Sequence, residues 1–175
     1  PFESLEEGGL ERLAALPKSV DRRGLPPQDR ADYDILENHF RARILDYEVV
    51  RSWERNPNAA LGQASNAVFQ LINRDFAPLE ERMRSAVGRM TKVPELFSAA
   101  QAALNNPPRI WTDIAIQQAQ GTRALYAQTL PQAFAPVKDA ALNQAFQREQ
   151  ARCLAAIDAY LRFLREDLLP RSKGD

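Results

Sequence analysis

The stretch from Trp53 to Pro108 decides the fold, and prolines punctuate it. It opens with Trp53-Glu54-Arg55-Asn56-Pro57, passes through Arg74-Asp75-Phe76-Ala77-Pro78 and Val93-Pro94-Glu95-Leu96-Phe97, and ends with Asn105-Asn106-Pro107-Pro108. These prolines stand at the starts of apolar-periodic segments, where a missing N–H costs nothing because that group has no helical partner. The stretch therefore predicts a series of helices separated by short turns.

Helical spacing of apolar residues continues on both sides and predicts an all-α bundle of six or seven helices. The alternation typical of strands is absent, and Ala, Leu, Gln, Glu and Arg dominate over Val and Ile. The last two helices are expected to be long and antiparallel. The predicted helices cover about residues 10–23 with a kink near Pro17, 28–53, 60–73, the segment between Asp75 and Val93, 94–104, 109–130 and 137–169.

Two local predictions concern helix ends. Asp75 is expected to cap the helix that follows it, with Ala77-Pro78 in the first turn. Pro131 and Pro136 are expected to bound a short irregular piece between the two long helices, and Pro170 to stop the second. The reason is that proline lacks the N–H and its ring clashes with the preceding turn.

Length and charge indicate one ordinary globular domain and argue against several function classes. The 175 residues suffice to bury a core without disulfides or structural metal ions, and we expect residues 1–175 to form a single domain. The 23 basic side chains balance 23 acidic ones, and no basic stripe is interleaved with aromatic residues, which argues against nucleic-acid binding. No apolar run is long enough to span a bilayer. Because the sequence opens with Pro1 rather than Met, we expect it to derive from a longer product.

Residues for catalysis are scarce. His39 is the single histidine and Cys153 the single cysteine, so neither a His-x-x-x-His zinc site nor a Cys/His cluster can be assembled. No Gly-x-Ser-x-Gly elbow or glycine-rich phosphate loop is present. We therefore predict no catalytic, cofactor-binding or metal-binding residue in this chain, and no enzyme activity of its own. A carboxylate-only site for a harder ion stays open.

His39 and Cys153 each have two interpretations. His39, beside Phe40, is either an acid/base group or a half-buried structural imidazole, and the second is favoured because no partner is visible. Cys153 is either a reactive thiol or a small core hydrophobe on the apolar face of the last helix. The core interpretation is favoured because buried thiols are usually inert.

A group of arginines is the one candidate ligand site. Arg74, Arg82 and Arg89, with Arg84 among them, are candidates to contact an anion or a substrate carboxylate. The alternative is that they cap helix ends and pair with neighbouring carboxylates, as surface charges usually do. A second polar feature is a strip of glutamines that is expected to face either a partner domain or a cleft, or else solvent. This polar strip consists of Gln117, Gln118, Gln120 and Gln128.

Several of these motifs resemble a known family. Trp53-x-x-Asn56-Pro57, Arg74-Asp75-Phe76-Ala77-Pro78-x-x-x-Arg82, Val93-Pro94-x-Leu96, Leu104 with Pro107, and Ala119-x-Gly121 are similar to the N-terminal half of the bacterial DUF885 proteins. The resemblance covers roughly residues 10–169. It rests on short helix-turn motifs taken together rather than on any single one.

The resemblance implies a full-length protein that is helical and zinc metallopeptidase-like, with a His-Glu-x-x-x-x-His-type helix downstream of this chain. Zinc is then a cofactor of the whole protein, and this chain holds none. The chain would be the N-terminal lobe, walling a cleft for a peptide substrate that the missing C-terminal part completes. The implied location is bacterial and periplasmic, secreted or lipoprotein, while a cytoplasmic location stays open.

The alternative function is a free-standing helical protein-interaction module without enzymatic activity. The expected partner is the chain's own missing C-terminal part or a second, self-associating copy. If the chain is a fragment, we expect self-association or an exposed apolar patch on the final two helices, since such patches mark interfaces. The candidate positions are Trp111, Leu125, Tyr126, Leu154 and Leu161.

Overall fold

The computed structural model describes Ala15 and residues 19–174. These residues form helices and turns, with one isolated bridge between Pro108 and Gly174 and no named strand among them. The predicted all-α class is therefore confirmed. The described part also contains no helix long and apolar enough to cross a membrane.

The chain divides into two compact units, residues 1–52 and residues 53–175. The described part of the first unit has a 3-10 turn, Arg22–Gly24, and helix α1, Pro27–Leu45, which continues as a π-helical turn, Asp46–Val50. Arg22 ties the turn to α1 through an ion pair with Asp34 at 2.6 Å. Of the helix predicted over residues 10–23, Ala15 and Ser19 are helical and residues 10–14 and 16–18 lie outside the described part.

Helix α1 ends earlier than predicted. The sequence predicts a helix over residues 28–53, but Arg51 adopts the left-handed conformation (φ 53°, ψ 47°) and its N–H bonds to the Asp46 carbonyl across the π turn. A left-handed residue cannot continue a right-handed helix, so the chain bends there. A separate single turn follows, α2, Ser52–Arg55.

The second unit contains the rest of the bundle, and its helices begin where the prolines predict. Pro57 precedes α3, Pro78 precedes α4, Pro94 lies in the first turn of α5, and Pro108 precedes α6. The elements are α3, Asn58–Asn73; α4, Leu79–Met90; α5, Val93–Ala103; α6, Arg109–Ala124; a π turn, Leu125–Thr129; α7, Leu130–Phe134; α8, Ala140–Phe163; a π turn, Leu164–Leu168; and α9, Leu169–Arg171.

The last two helical stretches, residues 109–134 and 140–171, run antiparallel as predicted. Three side-chain bonds show this, because the residue number rises on one helix as it falls on the other. Thr112 contacts Ser172, Arg123 pairs with Asp158 at 2.7 Å, and Gln150 on α8 donates to the Tyr126 carbonyl.

The predicted stop at Pro131 is wrong, and the stop predicted at Pro170 and the tail after it comes at Arg171. Pro131 lies inside a continuous helical stretch and Pro170 in the last turn of another, each two residues beyond a π-helical turn and in the sequence Leu-Pro. A π turn has wider hydrogen-bond spacing, so it accommodates a residue without an N–H where an α-helical turn would meet the ring. At Pro131, the carbonyl of Tyr126 five residues earlier accepts from Gln150 Nε2 at 2.7 Å instead.

The buried hydrophobic core of the described residues lies in the second unit, between Ala60 and Leu168. Tyr126 and Tyr160 are its largest fully buried side chains, and each hydroxyl donates to a backbone carbonyl: Tyr126 to Ala64 at 2.9 Å and Tyr160 to Pro57 at 2.8 Å. Burial raises the pKa of both phenols. The first bond holds the π turn after α6 against α3, and the second holds α8 against the residue that precedes α3, because a buried hydroxyl needs a hydrogen-bond partner.

Candidate functional site

Arg82 is the most heavily bonded side chain of the predicted arginine group. It lies on α4, nearly buried, and its guanidinium donates to three backbone carbonyls and one carboxylate. The acceptors are Ala77 O at 2.8 Å, Leu71 O at 3.1 Å, Arg74 O at 3.0 Å and Asp75 Oδ1 at 2.9 Å. A guanidinium has five N–H donors, and these four contacts leave few of the donors free to bind a ligand.

These bonds make Arg82 a clamp on the loop between α3 and α4. The carbonyls at a helix C-terminus lack intrahelical partners and carry partial negative charge, which a cation satisfies. Asp75, whose side chain is 92% exposed, bonds to Arg82 and does not cap α4. The predicted Asp75 cap is therefore wrong, and the Pro78 N-cap of α4 makes no side-chain bond.

The other arginines of the group lie in exposed positions. Arg89 Nη1 donates to Ala67 O on α3 at 2.8 Å, so it links α4 to α3 as Arg82 does. Arg84 pairs with Glu80 one turn earlier, and Arg74 is exposed. Arg82 and Arg89 therefore both donate hydrogen bonds to backbone carbonyls of the protein itself. Anion contact at Arg74, Arg82 and Arg89 stays a prediction.

His39 and Cys153 lie in different surroundings. His39 is exposed on α1 rather than half-buried, with its ring edge-on to Phe40 at 5.9 Å. Cys153 is fully buried on α8, and its thiol donates to Met90 O at 3.3 Å. Burial raises the pKa of the Cys153 thiol to about 12, aided by the nearby Glu149 and opposed by Arg152. The core interpretation of Cys153 is confirmed by this burial.

Glu149 is a buried carboxylate that the sequence analysis did not single out. Its side chain is 5% exposed and lies one turn before Cys153. Oε1 accepts from Arg148 Nε at 3.1 Å and Oε2 from Arg152 Nη1 at 2.8 Å. Both oxygens are paired with cations, which keeps the buried charge compensated. Within residues 19–174, no three His, Cys, Asp or Glu side chains come close enough to hold a metal ion.

A shallow depression of about 150 Å³ lies between α4, α7 and α8. Its polar rim is already engaged, since Asn143 Nδ2 donates to the Val137 and Asp139 carbonyls and Gln150 donates to Tyr126. Sites for drug-sized ligands are usually two or more times larger, roughly 300–1,000 Å³. The depression therefore carries no ligand assignment.

The end of the described chain is fastened to the start of α6. Ser172 is buried and donates to Leu168 O at 2.7 Å, so its oxygen must accept from the Thr112 hydroxyl at 2.8 Å. Lys173 N donates to Asn106 Oδ1 at 2.9 Å, and Gly174 N donates to Pro107 O at 3.1 Å.

Glycine is required at position 174, because a Cβ there would overlap the Asn106 carbonyl oxygen. Asn106 itself lies at φ 44°, which asparagine tolerates better than most residues. Residues 172–174 are thus seated on the loop that leads into α6.

Three large apolar side chains are exposed at the beginning of α6. Ile110 is 61% exposed, Trp111 39% and Ile114 41%. We call these three residues the α6 patch. The core-facing side of the helix is a separate row of small residues, Thr112, Ala115, Ala119 and Thr122.

The predicted apolar positions on the last two helices are mostly covered. Tyr126 is fully buried, and Leu125, Leu154 and Leu161 are half-buried against the core, which leaves Trp111 as the exposed member of that set. The sequence did not predict that Ile110 and Ile114 are exposed, because they are apolar residues at the helical spacing of core positions. The polar strip, by contrast, is exposed in this chain, as the solvent-facing interpretation predicts. Its residues are Gln117, Gln118, Gln120 and Gln128.

Comparison with protein families gives a match to "Bacterial protein of unknown function (DUF885)" over residues 6–175. The chain belongs to the DUF885 family. This match confirms, at the level of the family, the resemblance seen in the short motifs. It includes the whole region, roughly residues 10–169, over which the resemblance was recognised.

A solved structure has a fold similar to that of this chain. The chain superposes with a TM-score of 0.82 on a protein described as "a putative lipoprotein of unknown function from Shewanella oneidensis", at 23% identity. At this identity the likeness shows the fold. The match covers 95% of this chain and 31% of that one, so the chain spans about a third of that protein's length. No curated protein matches the chain.

Proposed function

We propose that this chain is the non-catalytic N-terminal helical part of a longer DUF885 protein, where it walls a substrate cleft together with the remaining polypeptide. The observation that carries the proposal is the pair of coverages in the structural match, 95% of this chain but 31% of the other. The matched fold takes up nearly all of this chain and about a third of that protein, which supports the proposal that this chain is one part of a longer polypeptide.

The chemistry in this proposal belongs to the remaining polypeptide. By family resemblance, that part supplies a zinc site and cleaves peptides, and this chain supplies a fixed helical wall. The rigid elements of that wall are the buried Tyr126 and Tyr160 bonds and the Arg82 clamp, which hold α3, α4, α6 and α8 together. A periplasmic or lipid-anchored location is part of the proposal, supported by the description of the structural match as a lipoprotein.

The test compares the 175-residue chain with the longer polypeptide encoded by the same gene. Both are purified, loaded with zinc and incubated with a mixed peptide library, and cleavage is followed by mass spectrometry. We expect metal-dependent cleavage by the longer protein and none by the 175-residue chain. Cleavage by the short chain, or a gene that encodes nothing after Asp175, would refute the proposal and favour the free-standing interaction module.

A further inference from the structure

The α6 patch is unusual because its helix already has a core-facing side. In an α-helix, residues i and i+4 lie on one face, so Ile110 and Ile114 form a row, with Trp111 beside it. The buried row that begins at Thr112 is centred about 140° around the helix from the Ile110–Ile114 row, and Trp111 lies between the two rows. A helix that is apolar on two sides is expected to be covered on both.

The outward face changes character within one turn. After Ile114, the next three exposed positions are Gln117, Gln118 and Gln120. The apolar surface is therefore confined to the first two turns of α6, next to the loop 105–108. Isolated surface hydrophobes are normal, but a contiguous group of three large ones bordered by polar residues is typical of an interaction site.

The last described residues lie beside the loop that leads into this surface. Gly174 pairs with Pro107 and Pro108, two residues before Ile110, and the Ser172–Thr112 bond fixes the same segment to the buried side of the first turn of α6. Polypeptide continuing from this point therefore starts near the N-terminal end of α6, the end that carries the α6 patch. Because a connected segment has a high effective concentration at a neighbouring surface, it has the advantage over a separate molecule.

We propose that the α6 patch is the surface on which the polypeptide following residue 175 packs in the longer DUF885 protein, covering Ile110, Trp111 and Ile114 with apolar side chains. This inference rests on the proposed function and deepens it by naming the contact surface. About two thirds of the related chain lies outside the match, which is ample polypeptide to cover three side chains.

Thiol accessibility tests the contact directly. Ile110→Cys and Ile114→Cys are made both in the 175-residue chain and in the longer protein, and Gln128→Cys is the exposed control in the same helical stretch. Cys153 is buried and serves as an internal unreactive thiol. We expect labelling at positions 110 and 114 to slow by about tenfold or more in the longer protein, because a covered thiol reacts only through local opening. Labelling at position 128 should not change.

Equal labelling rates at positions 110 and 114 in the two proteins would overturn the contact while leaving the cleavage test of the proposed function untouched. If labelling at positions 110 and 114 slows in the 175-residue chain as its concentration rises, the α6 patch contacts a second copy of the chain. That result would also overturn the proposal. If the gene encodes no polypeptide beyond the 175 residues, both proposals are wrong.

A charge-insertion pair separates docking from simple instability. Ile110→Glu with Ile114→Glu should leave the urea midpoint of the 175-residue chain unchanged, since both side chains are exposed there, and should lower the midpoint of the longer protein. The matched control, Gln117→Glu with Gln118→Glu, should lower neither. Loss of stability in the short chain, or none in the longer protein, would contradict the proposed packing.

Discussion

At the scale of single residues, Arg82 illustrates how a side chain's role depends on acceptors that are not adjacent in sequence. Its position between Arg74 and Arg89 suggests a basic surface for anions. In the structure the guanidinium reaches back to Leu71 and Arg74 at the end of α3 and to Ala77 in the loop. Arginine suits this task because its planar fork spreads five donors over three nitrogens, whereas lysine holds three donors on a single nitrogen.

Arg82→Ala is expected to destabilise the chain by about 2–4 kcal/mol, because several carbonyls lose a charged donor and remain partly buried. Arg82→Lys should recover only part of this loss. The matched control is Arg84→Ala on the same helix, an exposed i,i+4 pair with Glu80, expected to cost less than about 0.5 kcal/mol. Urea denaturation measures all three variants. Equal effects at positions 82 and 84 would contradict the clamp.

Cys153 is expected to be inert in the native chain and to make stability depend on alkaline pH. Its pKa rises from 9 to about 12 because burial disfavours the thiolate, so above pH 9 the unfolded chain has released a proton that the folded chain still holds. Stability is therefore full below pH 9 and falls as the pH rises toward 12. Thermal melts across that range should show a smaller decline for Cys153→Ala than for the parent chain. A thiol reagent that labels native Cys153 as fast as denatured Cys153 would refute the burial.

At the scale of secondary-structure elements, the Leu-Pro pairs at residues 130–131 and 169–170 show why proline is an unreliable stop signal. A preceding π turn removes the conflict between the proline ring and the carbonyl four residues earlier, at the cost of a freed carbonyl. In the first case that carbonyl belongs to buried Tyr126 and is satisfied by Gln150 from α8. The helix continues because a distant residue supplies the missing donor.

Gln150→Leu should therefore destabilise by about 1–3 kcal/mol, the usual cost of leaving a buried carbonyl unsatisfied. Gln147→Leu, an exposed position on the same helix, should have little effect. Combining Gln150→Leu with Pro131→Ala restores a backbone N–H near the Tyr126 carbonyl and should recover part of the loss. A double-mutant cycle in urea measures this coupling, and strict additivity would show that the two residues do not share that carbonyl.

Phe146→Ala and Ile157→Ala are each expected to destabilise by about 2–5 kcal/mol, since both empty a buried position on α8. Phe146 contacts Phe134 edge-on at 5.7 Å, so its loss also removes an aromatic contact. Gln144→Ala, on the exposed face of α8, is the control. Denaturant midpoints that barely move for both core variants would show that the buried face of α8 is assigned wrongly.

At the scale of the whole molecule, the two compact units differ in how much they bury. All hydrophobic side chains classed as buried in the described residues lie between Ala60 and Leu168, within the second unit. Helix α1 has no buried residue, and Ile35, Leu36, Leu45 and Val49 are more than half exposed. Since burial of apolar surface is the main favourable term in folding, this term comes chiefly from the second unit among the residues that the structure describes.

We expect residues 53–175 to fold alone with a single cooperative urea transition, and residues 1–52 alone to show none. Far-UV circular dichroism during urea titration of the two fragments measures this. A non-cooperative profile for residues 53–175, with a cooperative one for the full chain, would show that the first unit is needed to complete the core.

The sequence by itself determined the all-α class, most helix starts and the family. Apolar periodicity and the prolines at positions 57, 78, 94 and 108 act through neighbouring residues, so their effect is local and visible in a linear pattern. Burial of Cys153 followed from the same periodicity.

Only the tertiary structure decided the features that depend on residues far apart in the chain. Arg82 became a clamp because α3 ends within its reach, and α6 runs on through α7 because Gln150 on α8 meets the Tyr126 carbonyl. Ile110 and Ile114 have the same spacing as core residues, yet they face outward because the small row beginning at Thr112 packs inward. A helix has one periodicity but several faces, and which face is covered is set by its neighbours in space.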